Sequence, residues 1–266
     1  MRQAYQLEWA SKDLGQESRV ALGNVAGSGR MNIIAGTTAS SGQQSNLYVF
    51  QYRNENYHQL AQVSLGNNDT HWIGCHDIDK DGLDEIIVGT TCGIYIYKML
   101  KGQLIKIAES TQIREAVVSV AVADIDKDGK YEIIAVVKGK PQILIFRYDE
   151  RLVLVKSEIF RHQVCCVAAA DTDGDGCPEV IVKTHGPQGC MLYVLSFRSG
   201  QRCERWSSHI PDAGKAFLAV GDFDLDGKHE IVLDCTGSKA RVLHHVGGTY
   251  KTFWDSPAHD QSIKDV

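Results

Sequence analysis

The sequence predicts an all-β fold, a β-propeller of about five four-stranded antiparallel blades with repeats of about 50 residues. Three observations carry this expectation. One acidic loop pattern occurs four times at nearly constant spacing. Each copy runs straight into a β-branched apolar stretch. Between the copies, apolar and polar residues alternate with a period of two, and helical periodicity is absent.

The first copy is Asp77-Ile78-Asp79-Lys80-Asp81-Gly82-Leu83-Asp84-Glu85, followed by Ile86-Ile87-Val88. The second, Asp124-Ile125-Asp126-Lys127-Asp128-Gly129-Lys130-Tyr131-Glu132, leads into Ile133-Ile134. The third, Asp171-Thr172-Asp173-Gly174-Asp175-Gly176-Cys177-Pro178-Glu179, leads into Val180-Ile181-Val182. The fourth, Asp222-Phe223-Asp224-Leu225-Asp226-Gly227-Lys228-His229-Glu230, leads into Ile231-Val232. Acids thus stand at loop positions 1, 3, 5 and 9, with glycine at position 6.

Carboxylates at positions 1, 3 and 5 of a tight loop converge on one point, and glycine at position 6 permits the sharp turn. That is the chemistry of an oxygen cage for Ca²⁺. An EF-hand places its last carboxylate at position 12, on a helix. Here the last acid stands at position 9, before a β-branched run, so the loop joins two strands. Asp and Gly favour turns on their own account, but turns require no acid at position 9, and the spacing recurs four times. The sixteen carboxylates at these four positions are just under half of the 33 acidic residues. Packed together they repel unless a cation sits among them or some stay protonated. About four structural Ca²⁺ ions are expected.

The first aspartates fall at 77, 124, 171 and 222. One period earlier lies Asn24-Val25-Ala26-Gly27-Ser28-Gly29-Arg30-Met31-Asn32-Ile33-Ile34, the same unit with its acids replaced, where a turn without metal is expected. Five repeats result, at about 4–53, 54–101, 102–149, 150–198 and 199–247, in one domain of residues 1–266. In the third, the strand patterns fall at 117–123, 132–137, 142–148 and 152–159, joined by short turns. Segments 47–52, 94–98 and 191–197 read as third strands of other repeats. Four-stranded units repeated about an axis make a propeller, which protects its sheet edges. Segment 248–256 is left as an extra outer strand before a short tail, 257–266. It and segment 4–11 each match 201–208 in the place of the aromatic residue. One outer strand more than five blades need is therefore expected, packed loosely at one terminus or pairing with another chain in an oligomer.

With 266 residues, 43% of them hydrophobic, the chain can bury a large core. It has no run of eighteen apolar residues, so no membrane span is expected. The formal charge is −5. Setting aside the sixteen loop carboxylates turns it to +11, and four Ca²⁺ ions in place would leave it at +3. No dense Lys/Arg run with interleaved aromatics appears, so no nucleic-acid partner is expected. Eight cysteines are scattered without CxxC pairs or zinc spacing. They read as thiols in a reducing compartment, and residues 1–9 lack an apolar leader core, so the cytoplasm is expected.

The loops and the strands around them, such as Val220-Gly221-Asp222 through Val232 and Glu85 through Gly89-Thr90-Thr91, resemble the FG-GAP or VCBS repeats of the integrin α-chain propeller. The resemblance covers nearly the whole chain and is specific in four of the five repeats. It implies a propeller with Ca²⁺ in the loop between the first and second strands of a blade. The ligands it implies are the side chains of Asp77, Asp79, Asp81 and Glu85, of Asp124, Asp126, Asp128 and Glu132, of Asp171, Asp173, Asp175 and Glu179, and of Asp222, Asp224, Asp226 and Glu230. The position-7 carbonyls of Leu83, Lys130, Cys177 and Lys228 complete each set. Two features depart from the family pattern: position 9 is Glu rather than Asp, and integrin propellers have seven blades.

Catalysis finds no foothold in the sequence. There is no GxSxG elbow, and His71, His76, His162, His185, His244 and His245 do not recur with the repeat. A non-enzymatic binding or scaffold propeller with a protein partner is expected. The alternatives are a lectin with carbohydrate stacked on Trp9, Trp206 and Trp254 between blades, or a carbohydrate-active enzyme or its accessory domain.

Overall fold

The computed structural model describes residues 9–14, 17–39, 42–198, 200–236 and 238–258. The fold class is the one the sequence predicts. Five sheets of four antiparallel strands form, the blades of a β-propeller fold. The first blade is β1 (Ser18–Gly23), β2 (Asn32–Thr37), β3 (Ser45–Arg53) and β4 (Asn56–Gly66). The second is β5 (Thr70–His76), β6 (Glu85–Thr90), β7 (Gly93–Leu100) and β8 (Gln103–Glu109). The third is β9 (Val117–Ala123), β10 (Glu132–Val137), β11 (Gln142–Asp149) and β12 (Arg151–Ile159). The fourth is β13 (Gln163–Ala170), β14 (Glu179–Gly186), β15 (Gly189–Arg198) and β16 (Gln201–Ile210). The fifth is β17 (Ala213–Gly221), β18 (Glu230–Cys235), β19 (Lys239–Val246) and β20 (Thr249–Asp255).

Two compact units are distinguished, Met1–Arg114 with the first two blades and Glu115–Val266 with the other three. Within each blade the strands pair in chain order. The expected repeat frame, opening on an outer strand, is shifted by this pairing. Tight turns decide it. Asn54 and Glu55 (φ 50° and 63°), Lys101 and Gly102 (φ 50° and 79°) and Gly247 and Gly248 (φ 60° and 80°) hold left-handed backbone between the third and fourth strands of their blades. Two such residues make the mirror-image turn whose twist suits a two-residue hairpin. The outer strand is therefore tied to the strand before it and belongs to the preceding blade. Segment 248–256, expected as an extra strand, is mostly β20, paired to β19 through Val242–Trp254 and Arg241–Asp255. Residues 4–8 of the matching N-terminal segment lie outside the described residues. Trp9 packs on Phe50 and Tyr57 at 5.5 and 5.2 Å between ring centroids, and no strand includes it.

Second strands carry the core. β6, β10 and β18 are buried at every position, which is why they read as continuous β-branched runs rather than alternating ones. Apolar clusters lie between successive blades of each unit. Ile34, Val49, Ile86 and Val88 join blades one and two; Ile134, Ile145, Val180 and Phe197 join three and four; Ile181, Val194, Ile231 and Leu243 join four and five. Each pairing of third and fourth strands contains a register shift at the corresponding place, at Val49/Phe50, Ile96/Tyr97, Ile145/Phe146, Val194/Leu195 and Val242/Leu243. The shared irregularity marks the five blades as copies of one unit.

Arg241 fastens the last strand. Its Nε and Nη2 donate to the two carboxylate oxygens of Asp255 at 2.7 and 3.0 Å, and its Nη1 donates to Asp212 at 3.0 Å. The Arg241 hydrogen bonds hold the Asp255 carboxyl below its ordinary value. A carboxylate so depressed stabilises the fold above its unfolded-state pKa and loses that contribution as pH falls through the folded value. Because the pair is largely exposed, we expect no more than about 1 kcal/mol. Asp255→Asn should therefore reduce the difference between the unfolding free energies from urea titrations at pH 7 and pH 3 by that amount. An unaltered difference would show that the pair contributes nothing.

Candidate metal centres

Each acidic loop connects the first and second strands of its blade. Left-handed backbone appears at position 4 (Lys80, Lys127, Gly174 and Leu225, φ 60–80°) and at position 6 (Gly82, Gly129, Gly176 and Gly227, φ 77–92°). Only the second place is glycine in all four copies. The remaining positions fold by donating backbone N–H groups to the loop's own carboxylates. The position-6 amides reach the position-1 aspartates at 2.7–3.1 Å. The position-5 amides reach position 3 at 3.1–3.3 Å, and the position-7 amides reach position 5 at 2.8–2.9 Å. The position-2 amides of Ile78, Ile125, Thr172 and Phe223 donate to Oε2 of the position-9 glutamates at 2.9–3.0 Å. This last contact gives the glutamate its role. It ties the start of the loop to the first residue of the second strand.

Three acids per loop converge. Ligand oxygens of Asp77, Asp79 and Glu85 lie within 4.8 Å of one another, as do those of Asp124, Asp126 and Glu132, of Asp171, Asp173 and Glu179, and of Asp222, Asp224 and Glu230. These groups can hold a metal ion. The position-5 residues Asp81, Asp128, Asp175 and Asp226 stand outside the groups. The backbones of Leu83, Lys130, Cys177 and Lys228 serve here as amide donors.

Basic side chains, not anticipated from the loops, approach from the third strand. Lys98 of β7 bridges Asp79, Asp81 and Glu85, its Nζ 2.8 Å from both Asp81 Oδ2 and Glu85 Oε1. Arg147 of β11 binds the equivalent three residues: Asp126 at 2.7 Å, Asp128 at 3.0 Å and Glu132 Oε1 at 2.5 Å. The signal was a single cationic residue in an otherwise apolar strand, at Tyr97-Lys98-Met99 and Phe146-Arg147-Tyr148. At the third loop, Arg205 reaches Asp173 at 3.0 Å and Arg198 pairs with Asp175, but neither reaches Glu179. Among the described residues, no Lys or Arg forms an ion pair with the acids of the fourth loop.

Burial raises the carboxyl pKa of Glu85, Glu132 and Glu179, against the opposing pull of their hydrogen bonds. Burial would lower the Lys98 pKa, but hydrogen bonds to Asp79, Asp81 and Glu85 outweigh it and raise it. In the third loop Glu179 is 1% exposed. Its Oε2 accepts from the Thr172 amide at 2.9 Å and from the Thr172 hydroxyl at 2.8 Å, while its Oε1 has no hydrogen-bond partner. The Thr172 proton being committed to the carboxylate, the Tyr250 hydroxyl 2.5 Å away is the donor to Thr172 Oγ1. An orphaned, buried carboxylate oxygen inside a convergent acid group fits a cation.

The degenerate first loop keeps the backbone and drops the charge. Gly27 and Gly29 take the left-handed places (φ 66° and 71°), and buried Asn32 accepts from the Ala26 amide at 3.2 Å. Neighbouring loops are also joined. The Asp84 amide donates to the Asn24 carbonyl at 3.1 Å, and the His229 amide to the Asp171 carbonyl at 2.9 Å. Of the tryptophans weighed as sugar platforms, Trp206 packs on Tyr250 at 5.1 Å and Trp9 is engaged by Phe50 and Tyr57, whereas Trp254 is half exposed.

Residues 77–135, from the start of the first acidic loop to the middle of β10, match the family model described as FG-GAP-like repeat. No curated protein matches the chain. Over that stretch the chain is similar to an FG-GAP-like repeat, the family that its acidic loops resemble.

Proposed function

We propose that this protein is a calcium-stabilised, non-enzymatic binding scaffold whose blades present a surface to a protein partner. The observation that carries the calcium assignment is the convergence of Asp171, Asp173 and Glu179 around a carboxylate oxygen with no hydrogen-bond partner among the described residues. The donors are all oxygen, which suits a hard cation such as Ca²⁺ over the softer metals. Bound there, the ion supplies positive charge. The chain's own residues orient the carboxylates through the amides of Thr172, Gly174 and Gly176. Support for a protein partner comes from large apolar side chains on outer strands. Ile159 on β12 and Phe253 and Trp254 on β20 are half exposed or more. Outer strands with apolar side chains suit edge recognition. The proposed setting is the cytoplasm, where thiols such as Cys75 and Cys235, pushed up by burial to about 12 and about 11, stay reduced and inert.

Chelation should lower the melting temperature, and added Ca²⁺ should restore it progressively, by about 2.7 kcal/mol at a hundredfold excess over the dissociation constant. An unchanged melt with no metal by elemental analysis would overturn the calcium assignment. A glycan array and a screen for hydrolase and lyase turnover test the scaffold assignment. Flat binding and no turnover are expected, and sugar-selective binding or turnover would replace it with one of the alternatives.

A further inference from the structure

The residue opposite loop position 9 on the third strand differs from blade to blade. Glu132 pairs directly with Arg147, and one step beyond the pairs Ile86–Tyr97, Val180–Leu195 and Ile231–Leu243 lie Glu85 with Lys98, Glu179 with Ser196 and Glu230 with His244. In the first blade the neutral Asn32 faces Gln51, one step beyond Ile33–Phe50. The loops therefore differ in what meets their glutamate, although their acids are the same.

In loops one and two the place beside the glutamate Oε1 is filled by a side chain of the protein. Lys98 Nζ and Arg147 Nε stand 2.8 and 2.5 Å from it, and each cation also binds the acids at positions 3 and 5. Glu85 Oε1 of loop one and Asp124 Oδ1 of loop two also lack a hydrogen-bond partner, but Lys98 Nζ stands as an ion pair 2.8 Å from the first and the guanidinium occupies the ground beside Glu132. Loop three has no such insertion. Ser196 is too short to reach across, is 1% exposed, and its Oγ has no partner either, so two buried oxygens, Glu179 Oε1 and Ser196 Oγ, are left unsatisfied on adjacent strands. The arginines at this loop stay with Asp173 and Asp175, on side chains 39% and 60% exposed. Exposed pairs of that kind hold a charge weakly.

We propose that Lys98 and Arg147 are built-in replacements for the metal ion in loops one and two, and that loop three is a Ca²⁺ site formed by Asp171, Asp173 and Glu179. The assignment rests on the calcium reading and sharpens it from four equivalent loops to a selective one. Loop four lacks an inserted cation but shows no orphaned buried oxygen, and the assignment does not extend to it.

The test is a count of bound ions on the whole chain, by equilibrium dialysis against Ca²⁺ followed by elemental analysis. Terbium luminescence serves as a local readout, since Trp206 packs at a tilt on Tyr250 and Tyr250 is linked through the Thr172 hydroxyl to Glu179. Glu179→Gln should lose one Ca²⁺ per chain together with the sensitised Tb³⁺ emission. Ser196→Lys, which imitates Lys98 at the same register, should lose the same ion in a folded protein, and it decides the matter if Glu179→Gln does not fold. Glu85→Gln and Glu132→Gln should leave the count unchanged. Loss of an ion in either of these, or a full count in Ser196→Lys, overturns the selective assignment while leaving calcium binding intact. A wild-type chain that takes up neither Ca²⁺ nor Tb³⁺ overturns the calcium reading itself.

Discussion

Replacing Lys183 with methionine is expected to lower the stability of the Glu115–Val266 unit by about 3–5 kcal/mol, the usual cost of removing one partner of a buried ion pair. Lys183 on β14 is fully buried. Its Nζ donates to the Phe217 carbonyl and to Asp234 Oδ1, the latter at 2.7 Å, which locks blade four to blade five. The carboxylate also accepts from the Phe217 amide at 3.3 Å. It sits so close over Gly214 that a Cβ there would meet Asp234 Oδ2 at 1.9 Å. Methionine fills the space of the lysine stem but leaves a buried carboxylate without its cation. The companion variant Lys183→Met with Asp234→Leu should recover most of the loss, because an apolar pair of similar volume is often neutral beside a buried ion pair. Denaturant midpoints of the two single variants and the double variant measure the coupling. A single-variant loss below about 1 kcal/mol would show that this pair does not hold the blades.

The second large effect is expected at Lys98. Its side chain is only 10% exposed and it faces Glu85, which is wholly buried. Lys98→Met would crowd Asp79, Asp81 and Glu85 together with no cation among them. In chelator we expect a loss of about 3 kcal/mol, the low end for exposing a buried charge to its like. Calcium should return most of it, because the freed site is then open to an ion. The contrast to measure is therefore the difference in melting temperature with and without Ca²⁺. It should be larger in the variant than in the wild type. Equal differences would mean that the lysine and the ion do not compete.

Much of this was legible in the sequence because the repeat is written in two alphabets at once. The Asp-x-Asp-x-Asp-Gly spacing fixes the loop, and the β-branched runs that follow, such as Ile86-Ile87-Val88, fix the second strand of each blade. Both signals are local, and the structure keeps both. The blade frame was less legible, because aromatic outer strands such as 201–208 and 250–256 look alike wherever they pair. Their assignment depended on two-residue turns at Asn54-Glu55 and Gly247-Gly248, whose left-handed backbone brings each outer strand back onto its predecessor. The geometry of the loops was legible only in part, for a similar reason. Loop spacing shows which acids are near one another, and it correctly brings positions 1, 3 and 9 together. It does not show that Lys98 and Arg147, more than a dozen residues away along the chain, lie directly across the strand pair. Cross-strand pairing is a non-local fact, and a lone cation inside an apolar strand was its one trace.

The amide at loop position 8 has a wider consequence. In blades two and five it donates to the carbonyl at position 1 of the preceding loop, whereas in blade four that position is Pro178, which has no N–H to give. The loops of blades three and four are instead linked through side chains, by Lys127 Nζ to the Asp175 carbonyl at 3.4 Å and Cys177 Sγ to the Ile125 carbonyl at 3.8 Å. In an array whose stability is a sum of repeat and nearest-neighbour terms, each junction contributes its own term, and this one lacks the amide link between loops. It lies beside the loop that ends on Glu179. Loss of an ion from this loop would thus be felt as a local opening of one seam, detectable as early amide exchange in β13 and β14 while the other blades stay closed.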